Sequence, residues 1–382
     1  MVTDYYLPTR IVFGCGCVQQ AGALAVAWGK RALLVCGTQT PARSTAPANL
    51  STALELAGIE TTLYAAVSGE ADLEMVANGI KTLLEARCDM VIGLGGGSAI
   101  DTAKAIAGLA PQPGNIRDYH AGRKLESPGL PMIAIPTTAG TGAEVTRNAV
   151  LIDQDNRLKQ SIRGDDWFPK VALVDPDLTV SMGAALTAHT GSDALCQAIE
   201  AYTSIAASDI TDGLAERAIT LISRNLGRAY SNGQDIGARE AMSMGSLLAG
   251  MAMAVARLGL VHGIAHPVGS RHNIPHGLVC GLLLPHVMRY NLKFAAAKYA
   301  RMLTLMGNRD GGDSIDEAAK AAVDAVQQLL ARVGVPEHLG PYGVQPQHLQ
   351  AIISETMPSG STKHNARPVS EADVRQIMLK AL

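Results

Sequence analysis

Residues 90–106 read MVIGLGGGSAIDTAKAI, and this stretch decides the fold of the first half of the chain. Its first five residues are aliphatic or glycine, as in a strand that is buried on both faces. Three consecutive glycines follow, and Ser98 then opens a run of good helix formers. A strand, a glycine-rich turn and a helix N-terminus in that order form a site where a phosphate group can bind. The alternative is a tight strand–helix turn, since Ser98 stands where the usual fingerprint has its last glycine.

Further short aliphatic runs before residue 180 predict a parallel sheet flanked by helices, because Gly, Pro or Asp bounds each run and Ala-rich stretches separate them. The predicted strands are residues 31–35, 90–94, 132–135 and 171–174. After Thr187 strand signals nearly vanish and helical spacing takes over. The predicted helices there are residues 191–202, 209–229, 237–260, 276–290, 294–306, 314–333 and 347–356. We therefore predict an α/β domain over residues 1–180 and an all-α domain over residues 181–382.

The bulk composition is that of a soluble enzyme. The 382 residues are 47% hydrophobic, which is ample for a core, and their formal net charge of −2 gives no electrostatic reason to bind nucleic acid or an anionic membrane. Six cysteines are scattered without paired metal spacing, which favours reduced thiols and a cytoplasmic protein. The N-terminus does not resemble a signal peptide, and no apolar run approaches the roughly 20 residues that span a bilayer. We therefore expect no membrane partner.

Residues 261–277, VHGIAHPVGSRHNIPHG, place four imidazoles within a short segment. Imidazole is the commonest side-chain metal ligand and the usual proton carrier near neutral pH, so the segment is a candidate reaction centre. His262 and His266 are four residues apart, on one face of any helix that carries them. The alternative is that each histidine makes an ordinary hydrogen bond at a helix end.

Two more segments belong to the same picture. Residues 135–146, IPTTAGTGAEVT, offer hydroxyl groups and glycines that can line a dinucleotide without carrying charge. Residues 191–200, GSDALCQAIE, put Asp193 and Gln197 on one helix face. The alternatives are a carboxylate placed near a helix N-terminus and a surface amide.

Four motifs, in this order and at these separations, resemble the iron-containing (group III) alcohol dehydrogenases: GGGSAIDTAKAIA, PTTAGTGAEVT, GSDALCQAIEAY and GLVHGIAHPVGSRHNIPHG. That family includes lactaldehyde reductase, 1,3-propanediol dehydrogenase and, more distantly, maleylacetate reductases. The resemblance runs from about Pro8 to Pro368, nearly the whole chain. It implies the dehydroquinate synthase-like fold, with a Rossmann-like N-terminal domain for a nicotinamide dinucleotide and a helical C-terminal domain for one divalent metal, Fe²⁺ or Zn²⁺.

The resemblance also implies a set of metal ligands. Asp193, His262 and His276 match three of the four ligand positions, and the fourth falls on Gln197, where most members have histidine. A neutral amide oxygen is a poorer ligand than imidazole for iron or zinc, so the metal is expected to be weakly bound. Gln197 is then a weak fourth ligand, or three ligands act with solvent or substrate, or catalysis needs no metal. His189 is a further candidate ligand, with a helix-start histidine bonded to backbone as the alternative.

The cofactor residues are carried over in the same way. The expected pyrophosphate and ribose contacts are Gly96, Gly97, Ser98 and Asp101. The expected lining of the adenine-to-nicotinamide track is Thr137, Thr138, Thr141, Thr146, Asn148 and Lys159. Gly37 stands where NAD-preferring members have an aspartate on the adenosine ribose, so NADP should be tolerated and a preference for NADP is possible.

The function implied is an NAD(P)-dependent alcohol dehydrogenase or aldehyde reductase, an oxidoreductase of CH–OH groups, with His266 relaying the hydroxyl proton. A metal-independent reductase of the maleylacetate reductase type is one alternative. A metal-dependent hydrolase is another, although Gly263 replaces the glutamate that the HExxH pattern requires. A non-catalytic nucleotide-binding protein would leave Asp193 and the histidines unexplained. We expect a homodimer or a higher homo-oligomer.

Arg271 and His272 are candidate substrate contacts, because an arginine fork suits a carboxylate or phosphate. They favour an anionic or strongly polar aldehyde as substrate. The alternative is that both side chains face solvent at a helix junction.

Overall fold

The aliphatic runs in the first half of the chain form a six-stranded parallel sheet in the computed structural model. The structure describes residues 4–156, 158–308 and 314–382. The strands of this sheet are β1 (Arg10–Phe13), β2 (Arg31–Gly37), β3 (Glu60–Val67), β4 (Met90–Gly95), β5 (Met132–Pro136) and, later in the chain, β8 (Val171–Val174). Their order across the sheet is β1-β8-β5-β4-β2-β3. The chain therefore turns to one side after β2 and to the other after β4, and these two neighbouring strands form the topological switch point.

All four predicted strands are confirmed, and the sequence analysis missed two strands at the sheet edges and a hairpin. β4 and β5 are buried along their whole length, which is why their sequences are continuously apolar. The edge strands β1 and β3 are only partly buried and carry mixed sequences. The hairpin consists of β6 (Asn148–Asp153) and β7 (Leu158–Arg163), which pair antiparallel.

Helices cover both faces of the sheet in this first unit, Leu7–Thr138 with Gly142–Ser181, which we call the sheet unit. Leu33 and Val35 belong to one hydrophobic core, whereas Leu34 and Cys36 belong to the other, as expected when successive side chains point to opposite faces. The helices are α1 (Ala21–Ala25), α2 (Thr40–Arg43), α3 (Ala46–Leu56), α4 (Leu73–Glu85), α5 (Gly97–Leu109) and α6 (Ile116–His120). The fold class predicted for this half of the chain is confirmed.

The second unit contains Met182–Leu382, with Ala139–Thr141 and the described residues before Leu7, and we call it the helical unit. Within its described residues there is no strand. Its helices are α7 (Ala184–Thr203), α8 (Asp209–Ser231), α9 (Ile236–Ala256), α10 (Leu260–His272), α11 (His276–Leu305), α12 (Ile315–Arg332), α13 (Leu349–Thr356), α14 (Gly360–Lys363) and α15 (Glu371–Ala381). Of the described helices, none taken alone has the length and apolar composition to cross a membrane, although α9 and α10 together, bent by 106°, meet both criteria.

Two predicted helix boundaries were wrong. The helix predicted over residues 191–202 begins earlier, at Ala184. The helix predicted over residues 237–260 ends at Ala256, because Arg257 leaves the helix with a φ of 67° and α10 begins three residues later. The two helices predicted over residues 276–290 and 294–306 are confirmed, and the non-helical backbone of Ala295 divides them within α11.

Close packing of α11 against α7 determines where the chemically important side chains lie. A Cβ atom on Gly277 would lie 2.1 Å from the His189 carbonyl oxygen, and one on Gly281 would lie 2.9 Å from Ser192 Cβ. Since neither contact is physically possible, the two glycines are what allow the helices to approach this closely. The residues beside them on α11 are thereby held against α7.

Candidate functional site

Four potential metal ligands from α7, α10 and α11 lie together in the helical unit: Asp193, His262, His276 and Cys280. One ligand atom from each lies within 4.8 Å of all the others. Asp193 Oδ1 is 3.3 Å from His262 Nε2 and 3.8 Å from His276 Nε2. Cys280 Sγ is 3.9 Å from His262 Nε2 and 3.5 Å from His276 Nε2. We call these four residues the ligand cluster.

Glu200 holds the far side of the His262 ring. Its Oε2 lies 2.6 Å from His262 Nδ1, and its Oε1 accepts the Val261 backbone N–H at 2.6 Å. All three residues are buried. A carboxylate on one ring nitrogen fixes the orientation of the ring and leaves the other nitrogen for a ligand, as in many metal sites.

The electrostatics of the ligand cluster favour a cation. Burial alone would lower the pKa of His262, but Cys280, Asp193 and Glu200 outweigh it and raise that pKa well above its ordinary value. Burial likewise would raise the pKa of the Cys280 thiol, yet the Cys196 thiol and the His262 ring bring it below its ordinary value. Surroundings that hold a proton on a buried imidazole also suit a divalent ion in place of that proton.

Gln197 lies beside the ligand cluster but faces it through its nitrogen. Its Nε2 donates a hydrogen bond to Asp193 Oδ2 at 3.0 Å. Its Oε1 is buried and has no hydrogen-bond partner among the described residues. The amide thus restrains the carboxylate of Asp193 and leaves Oδ1 to face the two histidines.

The other two histidines considered from the sequence differ in position. His266 is half-buried and stacks on His276, with ring centroids 5.0 Å apart and planes 12° apart. His189 is half-buried, and burial lowers its pKa. It is not in the ligand cluster, and its carbonyl lies against the helix that carries His276.

In the sheet unit, the carboxyl ends of β2, β4 and β5 carry several of the predicted cofactor residues. Leu94 pairs with both Cys36 and Ile135, so these strand ends are adjacent, and the Thr137 N–H donates to the Gly95 carbonyl at 2.9 Å. The members of this group are Gly37, Gly96, Gly97, Ser98, Thr137 and Thr138. Ligands of open α/β sheets bind at such an edge.

The turn from β4 to α5 has the shape of a phosphate cradle. Gly96 is the N-cap of α5, and no side chain caps this helix end. A Cβ atom on Gly95, whose φ is 154°, would lie 2.7 Å from Ala99 Cβ, and one on Gly96 would lie 3.3 Å from the Thr138 side chain. Glycine is therefore needed here for both conformation and space, and the helix N–H groups are left for an anion.

Three of the predicted cofactor residues lie around a buried lysine. Lys104 Nζ donates to the Asn148 carbonyl at 2.8 Å and to Thr146 Oγ1 at 3.1 Å, and it lies 3.6 Å from Asp101 Oδ1. Asp101 Oδ2 also accepts the Val150 backbone N–H at 3.0 Å. Asp101, Thr146 and Asn148 thus satisfy a buried cation that the sequence analysis did not consider.

The last two predicted cofactor residues have other surroundings. Lys159 forms an ion pair with Glu70. Thr141 belongs to the helical unit rather than the sheet unit.

The predicted substrate residues both have partners. Arg271, in the last turn of α10, is exposed and ion-paired with Glu355, whose Oε1 accepts from Nε at 3.1 Å. His272 is half-buried, and its ring centroid lies 4.8 Å from that of His348. Burial lowers the pKa of His272.

Sequence reasoning missed Cys280 and Glu200, although the signals were present. Cys280 follows His276 by four residues, and Glu200 follows Asp193 by seven, so each shares a helix face with an expected ligand. The cysteines were judged by their spacing from one another, and a site with a single thiolate does not show in that comparison.

Comparisons with known proteins agree on one family. The family profile described as iron-containing alcohol dehydrogenase matches residues 8–176, and the profile for the C-terminal part of that family matches residues 187–382. The NAD-dependent methanol dehydrogenase of Bacillus methanolicus is 34% identical over 383 residues, covering 100% of both chains. The 1,3-propanediol dehydrogenase of Citrobacter freundii is 36% identical, covering 99% of this chain and 98% of the relative. A crystal structure of 1,3-propanediol oxidoreductase superposes with a TM-score of 0.97 at 36% identity, covering 100% of both chains.

Proposed function

The chain belongs to the iron-containing alcohol dehydrogenase family and is an oxidoreductase of CH–OH groups, and on that premise we propose that it interconverts a small alcohol and its aldehyde with NAD or NADP at a divalent metal centre. The observation that carries the proposal is the ligand cluster, in which Asp193, His262 and His276 bring buried donor atoms together. We propose that a domain of residues 1–180 holds the dinucleotide and that a domain of residues 181–382 holds the metal.

The residues of the helical unit fit a divalent cation. When bound, such an ion supplies a Lewis acid that favours the alkoxide form of an alcohol or polarises a carbonyl. Asp193 provides an anionic oxygen, and Glu200 keeps Nε2 of His262 directed at the cluster. Fe²⁺ and Zn²⁺ are both compatible with nitrogen and carboxylate ligands.

The sheet edge fits the dinucleotide. We propose that Gly96, Gly97 and Ser98 hold the pyrophosphate at the N-terminus of α5, where the uncapped helix end and the absence of side chains support close approach. Thr137 and Thr138 line the neighbouring strand end. Gly37 places no carboxylate at the end of β2, so NADP is accepted as well as NAD.

His266 is the proposed proton carrier. Its ring stacks on the His276 ring and is only half-buried, which supports contact with both the reacting oxygen and solvent. Neutral imidazole accepts the proton that the alcohol loses on oxidation, and imidazolium returns it in the reverse direction.

A hydrolase is not supported by the carboxylates of the helical site. A hydrolase of the HExxH type uses a carboxylate to take a proton from water, and Gly263 stands where that glutamate would be. Glu200 is already engaged by His262 and Val261, and Asp193 by Gln197 and His262. We also propose that the protein is a homo-oligomer, at least a dimer. We propose that it lies in the cytoplasm, and the scattered, unpaired spacing of its cysteines supports that location.

The proposal is tested by following reduced nicotinamide absorbance with a panel of short aldehydes, using NADH and NADPH in turn. The protein is first stripped with chelator and then supplied with Fe²⁺, Zn²⁺ or buffer. We expect turnover that depends on added metal and that His262→Ala abolishes. Absence of turnover under every condition contradicts the proposal, and full turnover by metal-free protein establishes a metal-independent reductase.

A further inference from the structure

We propose that the thiolate of Cys280 is the fourth protein ligand of the metal centre, and that Gln197, at the position where most members have histidine, positions Asp193 instead. The inference rests on the proposed function only in that the helical site binds a divalent ion. It assigns a ligand to a residue that the family pattern does not include, and it removes the apparent gap in the ligand set.

The geometry of the ligand cluster is close to that of a four-coordinate site. Donors at about 2.0–2.3 Å from one ion at tetrahedral angles lie about 3.3–3.5 Å apart for an oxygen and a nitrogen, and about 3.5–3.6 Å apart for a sulfur and a nitrogen. Asp193 Oδ1 is 3.3 Å from His262 Nε2 and 3.8 Å from His276 Nε2, and Cys280 Sγ is 3.9 Å and 3.5 Å from the same two atoms. One distance of each kind fits the tetrahedral value, and the other is longer by about 0.3 Å. Cys280 thus completes the polyhedron that Asp193, His262 and His276 begin.

Gln197 is oriented for a different task. Its amide nitrogen donates to Asp193 Oδ2 at 3.0 Å, and a donor nitrogen cannot coordinate a cation. Turning the amide would place its oxygen against the carboxylate oxygen, which is repulsive. The hydrogen bond therefore gives Gln197 the role of orienting a ligand, and only its buried Oε1, which has no hydrogen-bond partner among the described residues, could also reach the ion. A neutral amide oxygen is a poorer ligand than the Cys280 thiolate for Zn²⁺ or Co²⁺.

Cys280 is distinguished from Cys196, the other buried thiol nearby, by the side of His262 on which it lies. Cys196 Sγ is 3.8 Å from His262 Nδ1, the nitrogen that Glu200 already engages. Cys280 Sγ is near Nε2 of both His262 and His276, the nitrogens that face Asp193. Cys196 therefore serves as the matched control.

The local sequence explains why the sulfur lies there. His276 and Cys280 are one helical turn apart on α11 and present their side chains to the same face. Gly277 and Gly281 follow each of them directly and allow that face to lie against Asp193 and Ser192 of α7. A thiolate in this place changes the chemistry, since Asp193 and Cys280 together neutralise a divalent ion and the soft sulfur favours Zn²⁺ over Mn²⁺ or Mg²⁺.

The test uses the full-length protein reconstituted with Co²⁺, whose thiolate complexes give a charge-transfer absorption in the near ultraviolet. We expect wild type and Cys196→Ser to show this band with one Co²⁺ per chain. Cys280→Ser should lose the band and bind Co²⁺ more weakly by more than about tenfold, the lower bound for losing even an outer-shell partner. Far-ultraviolet circular dichroism establishes that each variant is folded.

A second variant keeps the result decisive if Cys280→Ser does not fold. Gln197→His combined with Cys280→Ala supplies the third imidazole and removes the sulfur, and it should bind Co²⁺ without the thiolate band. A band that persists in either Cys280 variant, or that is absent from wild type loaded with Co²⁺, overturns the assignment of Cys280 while leaving the metal centre in place. Failure of wild type to bind Co²⁺ at all overturns the metal centre itself.

Discussion

His262 Nδ1 lies 2.6 Å from Glu200 Oε2, and this contact decides which nitrogen of the ring faces the ligand cluster. The other oxygen of the same carboxylate accepts the N–H of Val261 in the first turn of α10. One buried side chain on α7 therefore sets both the ring orientation and the start of the helix that carries His262. Glu200 therefore acts by positioning the His262 ring rather than by taking part in the reaction itself.

Glu200→Gln should weaken metal binding by about 10- to 100-fold, the usual effect of losing an outer-shell carboxylate. The oxygen of the new amide can accept a hydrogen bond from His262 Nδ1–H. Its NH₂ group then faces the Val261 N–H, and two hydrogen-bond donors repel each other. The measurement is the Co²⁺ or Zn²⁺ dissociation constant by competition with a chelator. Glu240→Gln, at an exposed position of α9, is the control and should bind metal as wild type does. Equal affinities for the two variants would show that Glu200 has no part in the site.

Gln197→His should slow the loss of metal to chelator, because an imidazole is a better ligand than an amide for Fe²⁺ or Zn²⁺. Gln197→Met keeps the side-chain length but cannot donate to Asp193 Oδ2, so it should weaken metal binding by about tenfold. The metal remaining per chain after timed dialysis is measured for both variants. A Met variant that retains metal as well as wild type would contradict the positioning role of Gln197.

Gly37→Asp should shift the cofactor preference towards NAD. A Cβ atom at Gly37 lies 3.0 Å from Thr40 Oγ1 and 3.6 Å from the Val67 carbonyl, so a small movement of the Thr40 hydroxyl makes room for the side chain. The new carboxylate repels a 2′-phosphate, and the ratio of kcat/KM for NADP to that for NAD should fall about tenfold, or about 1.4 kcal/mol. Gly37→Asn has the same shape without the charge. If both variants change the ratio equally, or neither does, Gly37 does not face the ribose.

Glu144 should make the protein less stable as the pH rises from mildly acidic to neutral. Burial raises the pKa of its carboxyl from 4.5 to about 7. Between these values the folded chain keeps a proton that the unfolded chain has lost, so the stabilisation is complete below the unfolded pKa and is lost as the pH rises through the folded one.

The Glu144→Gln variant removes that titration. The free energy of unfolding in urea should fall between about pH 5 and about pH 7 by about 2–3 kcal/mol more in wild type than in this variant. Glu126→Gln, at an exposed position, should keep the wild-type dependence. Parallel pH curves for wild type and Glu144→Gln would contradict the assignment.

Arg271→Ala should have little effect on substrate choice, in contrast to the expectation from sequence. Glu355 already engages the guanidinium at the surface, and an exposed pair of this kind contributes at most about 1 kcal/mol. Because Arg271 is already paired with Glu355, the ratio of kcat/KM for an acid semialdehyde to that for an uncharged aldehyde of equal length should stay close to that of wild type. Glu355→Ala removes the ion-pair partner of Arg271, and the same kcat/KM ratio is measured for this variant. A large loss of activity on the acid semialdehyde alone in Arg271→Ala would restore Arg271 as a substrate contact.

The sequence by itself determined the two-part architecture and the core of each functional region. Parallel strands that are buried on both faces, such as β4 and β5, are continuously apolar. A glycine turn precedes a helix N-terminus that approaches an anion, as before α5. Both features can therefore be recognised in a short stretch of sequence. Asp193 and the histidines could be identified from the sequence because their spacing and their chemistry are unusual whatever the fold. The less buried edge strands, the hairpin and the ends of α9 were missed, since their sequences carry no comparable pattern.

Tertiary structure alone decided which side chains share a site and which satisfy one another. The buried ammonium of Lys104 needs oxygen partners, and Asp101, Thr146 Oγ1 and the Asn148 carbonyl supply them, a grouping that the sequence analysis did not foresee. Cys280 is unremarkable in the sequence and enters the ligand cluster only because Gly277 and Gly281 let α11 lie against α7. The physical reason is that the distance between two helices depends on how their side chains pack, and the local sequence of either helix does not determine that packing.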